Sequence, residues 1–145
     1  MTLKSSAGYL ISNTGRKLSQ LLSARFQPFG LTSEQWSVLH ELCAEDGVTQ
    51  RALSDRTEKD PTNLTRILDQ LERKRLVRRE PNLGDRRARL LAVTDEGRAL
   101  DEALAPLERA LVEELLEGVP PEQLATFRAV MGIINRNADR IRRRR

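Results

Sequence analysis

The 145-residue sequence has little cysteine, histidine or aromatic content: one Cys, one His, one Trp, one Tyr and three Phe. A single cysteine, Cys43, excludes a disulfide within the chain and is typical of a reducing compartment. Because His40 is the only histidine, the chain has no spaced set of ligands for a zinc ion. No apolar run approaches the roughly 20 residues that cross a bilayer. We therefore expect a cytoplasmic protein that holds no metal.

The sequence patterns of common enzyme sites are also missing. The chain has no Gly-rich phosphate-binding loop and no nucleophile elbow. Its adjacent carboxylates, Asp95-Glu96 and Glu113-Glu114, fall at a helix start or on a solvated helix face, which are ordinary structural positions. These absences argue against an enzyme and against a bound cofactor.

Charge is abundant but unevenly distributed. The formal net charge is only +4, yet residues 73–89 contain eight Lys/Arg and two acids, a local +6. The last ten residues contain six Arg against Asp139, whereas residues 95–122 contain nine acids against two Arg. Positive charge gathered in two places is typical of a protein that binds DNA phosphates. A solvated charged surface is the alternative, and it explains the C-terminal arginines equally well.

Apolar spacing and helix-capping patterns predict six helices. The first has an apolar stripe between Ile11 and Phe26. Thr32 and Gln35 form a capping-box pattern that starts the second helix, and Thr49 caps a short third helix. A brief break then leads to Asp60-Pro61, a cap followed by the residue best suited to a first helical turn. The third and fourth helices therefore form a helix-turn-helix pair.

The fourth helix has two faces of different chemistry. Its apolar face consists of Leu64, Ile67, Leu68 and Leu71. The opposite face carries side chains that suit base edges and phosphates: Thr62, Asn63, Thr65, Arg66, Gln70 and Arg73. Two short alternating segments, 76–80 and 88–93, then flank an arginine-rich loop and predict a β-hairpin. A polar helix face beside a cationic hairpin is typical of a winged helix-turn-helix.

Two long helices complete the chain. Thr94 caps the fifth, which Pro106 should kink without ending, and the sixth follows Pro120-Pro121. The apolar stripes of the first, fifth and sixth helices are longer than a small DNA-binding lobe can cover, which predicts a homodimer. We expect a mainly α protein with a small β-hairpin wing: a winged helix-turn-helix lobe at 31–99, and dimerisation helices at 1–30 and 100–145. The alternative is a monomeric bundle of those helices.

This order of elements, with one stretch of sequence, resembles the MarR family of prokaryotic transcriptional regulators. The stretch reads LTRILDQLERKRLVRRE at residues 64–80 and GDRRARLLAVTDEGR at residues 84–98. The resemblance implies a homodimer whose terminal helices intertwine and whose two lobes bind a pseudo-palindromic operator in double-stranded DNA. It also implies that Pro61–Arg73 is the recognition helix and that 83–87 is the wing tip.

Matched to this sequence, the wing motif of the family places at Asp85 an aspartate that anchors the loop through an arginine. The arginine that enters the minor groove is Arg87, or Arg86. We expect base contacts from the N-terminal part of the recognition helix, which begins at Pro61, through Thr62, Asn63, Thr65 and Arg66. We expect phosphate contacts from the base of the wing and from Thr49, Gln50, Arg56 and Arg73.

The resemblance also implies a signal. Many relatives release DNA when a small aromatic acid or phenol binds between the dimer helices and the DNA-binding lobe. The candidates for such an effector site are Arg16, Trp36 and His40. Arg16 is equally typical of a solvated arginine or of one in a salt bridge across the dimer, and His40 is more typical of a partly buried structural histidine. Other relatives sense oxidants through a cysteine in the first helix. Cys43 instead lies on the apolar stripe of the second helix, which favours a structural thiol.

Together these patterns predict a sequence-specific transcriptional regulator, a repressor that a small aromatic or phenolic effector releases from its operator. Three alternatives stay open. The first is a weakly specific, nucleoid-associated protein that organises DNA. The second is an oxidant sensor that acts through Cys43, and the third is a module that binds an acidic protein partner. The polar set Thr62, Asn63 and Thr65 argues against the third, because binding acids alone does not require it.

Overall fold

A computed structural model describes residues 2–85 and 87–144. The chain begins with a 3₁₀ turn at Leu3–Ser5, and a second 3₁₀ turn at Gln27–Phe29 follows α1. The remaining elements are α1 (Ala7–Phe26), α2 (Ser33–Ala44), β1 (Val48–Thr49), α3 (Gln50–Thr57), α4 (Pro61–Arg73), β2 (Val77–Pro81), β3 (Arg89–Val93), α5 (Asp95–Leu115) and α6 (Pro121–Arg143). The chain divides within α5 into two compact units: the first extends to Ala110, and the second begins at Leu111. In the part of the chain that is described, no helix is long and apolar enough to span a bilayer.

The predicted helix caps are confirmed. Thr32 and Gln35 form a reciprocal capping box at the start of α2. The Thr49 hydroxyl accepts a hydrogen bond from a backbone N–H in the first turn of α3, and the Asp60 carboxylate does the same for α4. Glu58 ends α3 in the left-handed region with φ of 57°. Because this conformation reverses the chain within three residues, α3 and α4 form the predicted helix-turn-helix pair.

The apolar face of α4 lies at the centre of the core of the first unit. Leu64, Ile67, Leu68 and Leu71 are all 0% exposed, which confirms the prediction from their spacing. They pack with fully buried side chains of neighbouring helices, among them Val38, Leu39, Leu42 and Leu53. Full burial of each such side chain stabilises the fold by about 2 kcal/mol. The helix has only one buried stripe, so its polar face is held at the surface.

The strands form an antiparallel sheet in the order β1-β3-β2. The β2–β3 hairpin confirms the predicted wing, with Val77 opposite Val93 and Pro81 opposite Arg89. The strand β1, which pairs Val48 with Leu91, was not predicted. Two residues are too short for an alternating pattern to be recognised, and the pairing depends on contacts distant in sequence. It attaches the base of the wing to the start of α3.

The long helices at the end of the chain also begin as predicted. The Thr94 hydroxyl accepts a hydrogen bond from the Gly97 backbone N–H at 3.0 Å, and α5 continues through Pro106. In the second unit, α6 has one stripe of large apolar side chains that remain exposed in the single chain: Phe127, Val130, Ile133 and Ile141. Such a stripe is typical of a surface that a partner covers.

Candidate DNA-binding interface

The polar face of α4 presents the predicted base-reading side chains to solvent. Thr62, Thr65 and Arg66 are exposed, and Asn63 is half-buried. The Asn63 Oδ1 atom accepts a short hydrogen bond from the Arg66 guanidinium. Arg66 also lies 3.4 Å from the Glu34 carboxylate of α2. The helix therefore holds an amide and a guanidinium together at its surface, and both are groups that bind purine edges in the major groove.

The start of α3 lies beside this face. The Gln50 Nε2 atom donates a hydrogen bond to the Thr65 hydroxyl at 2.6 Å, and Thr65 donates in turn to the Pro61 carbonyl oxygen. The Thr49 hydroxyl is engaged by the helix cap that it forms. Arg73 at the other end of α4 is exposed and contacts only its own helix backbone among the hydrogen bonds described, through the Asp69 carbonyl. The structure thus brings most of the predicted α3 and α4 contacts onto one surface.

Arg56 is engaged differently from the sequence-based expectation. Its Nη2 atom donates to the carbonyl oxygen and carboxylate of Glu41, at 3.0 and 2.9 Å. Its Nη1 atom lies 3.3 Å from the Glu45 carboxylate. The side chain is 27% exposed. In the single chain Arg56 therefore ties α3 to α2, and a phosphate would have to compete with both carboxylates for this largely buried group.

Arg79 forms the connection between the wing and the recognition helix. Its guanidinium lies 2.9 Å from the carboxylates of both Asp69 and Glu72, and its side chain is 17% exposed. Its backbone N–H also donates to Glu72, at 3.3 Å. Asp69 and Glu72 stand one turn apart on α4, so one arginine of β2 bridges them. Sequence analysis counted Arg79 with the phosphate-binding arginines, whereas the structure assigns its charge to this bridge.

A cationic cleft separates the wing from α3. Its volume is about 540 Å³. Its lining includes the side chains of Thr49, Gln50, Arg51, Asp85, Arg87 and Arg89. Arg51, Arg87 and Arg89 are exposed. Three guanidinium groups around this cleft favour an anionic ligand such as a phosphate backbone. Sequence analysis did not single out Arg51 or Arg89, although both carry a charge next to a predicted contact residue.

The wing tip is shaped by side chains that bind its own backbone. The Asp85 carboxylate accepts a hydrogen bond from the Arg87 N–H at 2.9 Å, and the Asn82 Oδ1 atom accepts one from the Gly84 N–H at 3.0 Å. Leu83 at the tip is 99% exposed. Asp85 thus anchors the loop through the backbone N–H of Arg87, whereas the resemblance implied an arginine partner. Arg86 lies outside the described residues.

The effector candidates fall into two separate environments. Trp36 and His40 stack with ring centroids 4.9 Å apart, and both bind one carboxylate oxygen of Asp101, at 3.1 and 2.9 Å. Trp36 is 9% exposed, and the His40 side chain is 49% exposed. Arg16 is exposed on α1 and donates to Asn13 of its own helix. Trp36 and His40 therefore form a cluster with Asp101, and none of the described contacts brings Arg16 to it.

A model of the MarR family matches residues 29–88. Transcriptional regulator HosA from Escherichia coli O157:H7 is 30% identical over 129 residues, which cover 88% of this chain and 93% of HosA. The chain belongs to the MarR family. It is therefore a DNA-binding transcriptional regulator with a winged helix-turn-helix fold.

Solved structures of MarR-family proteins agree with this assignment. A mutant of MarR from Escherichia coli in complex with operator DNA superposes with a TM-score of 0.85 and 28% identity, covering 92% of this chain and 99% of that one. CouR from Rhodococcus jostii RHA1, bound to p-coumaroyl-CoA, superposes with a TM-score of 0.80 and 28% identity, covering 92% of this chain and 94% of CouR.

The lone cysteine of this MarR-family chain lies in an environment that suppresses its reactivity. Burial, together with a hydrogen bond and the negative charge of Asp101, raises the pKa of the Cys43 thiol from 9.0 to about 11. The thiolate is the reactive form, so at neutral pH its population is about a hundredfold lower than that of a thiol with the ordinary pKa. This argues against Cys43 as an oxidant sensor.

We expect iodoacetamide to alkylate Cys43 at pH 7.5 at least about a hundredfold more slowly in the folded protein than in urea, because the thiolate is scarce and half-buried. The rate in the folded protein should increase with pH up to about 11. Mass spectrometry of timed samples measures both. Equal rates in folded and unfolded protein would contradict the assignment. DNA binding by Cys43→Ser should be unchanged, with or without peroxide.

Proposed function

We propose that this protein is a homodimeric repressor that binds a pseudo-palindromic operator. The observation that carries the proposal is the single exposed surface formed by the polar face of α4, the start of α3 and the cationic cleft at the wing. Thr62, Asn63, Thr65 and Arg66 read bases in the major groove. Thr49, Gln50 and Arg73 contact phosphates, and Arg87 enters the minor groove.

Hydrogen bonds between the side chains of this surface favour sequence-specific binding over the nucleoid-associated alternative. Binding phosphates alone requires only cations, and its strength is independent of sequence. Here the Arg66 guanidinium is bound to the Asn63 amide, and Thr65 is fixed by Gln50. Groups that are already ordered lose less entropy when they bind base edges. Such ordering increases discrimination between bases.

The homodimer is supported by the exposed apolar stripe of α6 and by further exposed apolar residues of α1, Leu10, Ile11 and Leu21. We assign residues 1–30 and 100–145 to dimerisation. Two lobes related by a twofold axis then bind two half-sites of opposite orientation.

We further propose that a small aromatic or phenolic effector releases the DNA. Its support is the stacked pair Trp36–His40 beside Asp101, together with the aromatic thioester bound by CouR.

Selection from a library of random-sequence duplexes tests the proposal. We expect the protein to enrich an inverted repeat with half-sites about one helical turn apart. Asn63→Ala and Arg66→Ala should each weaken binding to the selected duplex by about 1–3 kcal/mol, and binding to a scrambled duplex far less. The control Arg142→Ala removes the same charge from the C-terminal arginines. It should have a small and equal effect on both duplexes. If the protein binds the library but enriches no sequence, the nucleoid-associated alternative is favoured instead.

For a substitution of Asp85 in the wing, the structure and simple electrostatics predict opposite changes in DNA affinity. Asp85→Ala removes a negative charge from a DNA-binding surface, which by Coulomb attraction alone should strengthen binding. We expect it instead to weaken binding to the selected duplex about fivefold, because losing a hydrogen bond of about 1 kcal/mol frees the loop that carries Arg87. Fluorescence anisotropy measures the effect. Asp85→Asn, which keeps the acceptor oxygen, is the control and should retain affinity. Tighter binding by Asp85→Ala would refute the anchoring role.

A further inference from the structure

The amide of Gln35 is one of the few buried polar side chains of the described chain, and it is bound at every polar atom. The residue is 6% exposed. Its Oε1 atom accepts hydrogen bonds from the Thr32 backbone N–H at 3.1 Å and from the Lys74 ammonium at 3.0 Å. Its Nε2 atom donates to the Gln70 side-chain oxygen at 2.9 Å. One amide therefore connects the start of α2 to two residues at the end of the recognition helix.

The helix cap explains only part of this arrangement. A capping box uses a side-chain oxygen at the third helical position, and Glu and Gln supply it equally well. The cap of α2 is completed by Thr32 and by the Gln35 oxygen alone. The Nε2 atom is not needed for it, yet this atom is directed at Gln70. Sequence analysis placed Gln70 on the DNA-facing side of α4, but the structure shows it half-buried against α2.

The same connection reaches the corner between α1 and α2. The Lys74 ammonium also donates a short hydrogen bond to the Gly30 carbonyl oxygen. Two serines of α1 bind Ser33, the residue that begins α2: Ser23 accepts from its backbone N–H at 2.9 Å, and Ser19 bonds to its hydroxyl at 2.6 Å. These bonds fix the start of α2 to α1. Gln35 therefore links the end of α4 to the junction between α1 and α2, and this junction is itself held by hydrogen bonds.

We propose that Gln35 is a positioning residue for DNA recognition. Its amide holds the C-terminal half of α4 at a fixed angle to α2, and so sets how deeply Thr62, Asn63 and Arg66 enter the major groove. This inference rests on the proposed function, because it assumes that α4 reads bases. On the opposite side of α4, Arg79 holds Asp69 and Glu72. The recognition helix is thus held from both sides, and loss of either restraint lets its C-terminal half tilt relative to α2.

The decisive variant is Gln70→Leu, which removes the partner of Nε2 and leaves the capping box and the Lys74 contact in place. The readout is the ratio of two dissociation constants, one for the duplex selected by the wild-type protein and one for a scrambled duplex of the same length. We expect this ratio to fall by about tenfold, because a tilted helix loses base contacts worth about 1–3 kcal/mol each. Binding to the scrambled duplex should change less than about twofold, since it depends on phosphate contacts.

Two further variants separate positioning from a merely structural effect. Gln70→Glu retains an oxygen that accepts from Gln35, so the ratio should be retained even if the added negative charge weakens binding to both duplexes. Ser37→Ala removes a side-chain hydrogen bond within α2 that does not reach α4, and should leave the ratio unchanged. An unchanged ratio in Gln70→Leu, or an equal loss on both duplexes, overturns the positioning role. A wild-type protein that does not discriminate the duplexes overturns the proposed function instead.

Discussion

Val130→Asp is expected to convert the proposed dimer into a monomer and to weaken binding to the selected duplex by at least about a hundredfold. Val130 is 45% exposed in the single chain, in the middle of an apolar stripe that includes Phe127 and Ile133. In a dimer this stripe is covered, and a buried carboxylate without a partner costs several kcal/mol. Because the side chain is exposed in the single chain, the substitution should not disturb the fold of one subunit.

Loss of the dimer should weaken DNA binding because the two lobes would no longer be joined. Two lobes joined in one dimer bind two half-sites with a gain of about 10²–10⁴ over a single lobe, and a monomer loses this gain. Sedimentation velocity at micromolar concentration gives the mass, and fluorescence anisotropy gives the affinity. Asn135→Asp introduces the same charge on another face of α6 and should leave both unchanged. Leu111 is a poor site for this test because it is 3% exposed in the single chain, so aspartate there would disrupt the subunit itself. A Val130→Asp dimer would refute the assigned interface.

Gly97→Ala is expected to lower the free energy of unfolding by about 3 kcal/mol, at the upper end of the usual cost of overpacking. An added Cβ atom at this position would lie 2.3 Å from the Leu76 carbonyl oxygen and 2.9 Å from a methyl carbon of Val93. The carbonyl cannot move aside easily, because it accepts a hydrogen bond from the Thr94 N–H at 3.1 Å. Relief requires α5 to move away from the start of β2.

Thermal denaturation followed by circular dichroism measures this loss, which should lower the melting temperature by about 10 °C for a chain of this size. Gly15→Ala is the matched control. A Cβ atom at Gly15 meets nothing within 4 Å, and alanine is favoured over glycine in a helix interior. This variant should therefore melt at or slightly above the wild-type temperature. If both variants melt alike, the close approach of α5 to β2 is not a constraint on the fold.

The fold was largely predictable because its signals are local. Caps such as Thr32, Asp60 and Thr94 act on backbone N–H groups within three residues, so the chain itself contains both partners. The apolar spacing of α4 likewise needs only the helical period. The strand β1 could not be predicted, because a two-residue strand is defined by its partner Leu91, more than forty residues away.

The candidate site was predictable as a set of side chains but not as a set of contacts. From the sequence, the arginines of residues 73–89 are indistinguishable, since each carries the same charge. Folding distinguishes them, because Arg79 meets two carboxylates of α4 whereas Arg87 and Arg89 line the cleft at the wing. Arg56 similarly acquires Glu41 and Glu45 as partners. The helical period shows which face of a helix is polar, and only the tertiary structure shows what that face meets.

The small sheet has a further consequence for how the protein behaves at high concentration. Its two edges are β1 and β2, and an exposed edge strand can pair with the edge of another molecule and begin aggregation. The first edge is only two residues long. The second carries Arg78, Arg79 and Glu80, ends in Pro81, and has the N–H of Arg79 already bound by Glu72. Neither edge offers a continuous row of free donors and acceptors, so the wing can project into solvent without recruiting a strand from another chain.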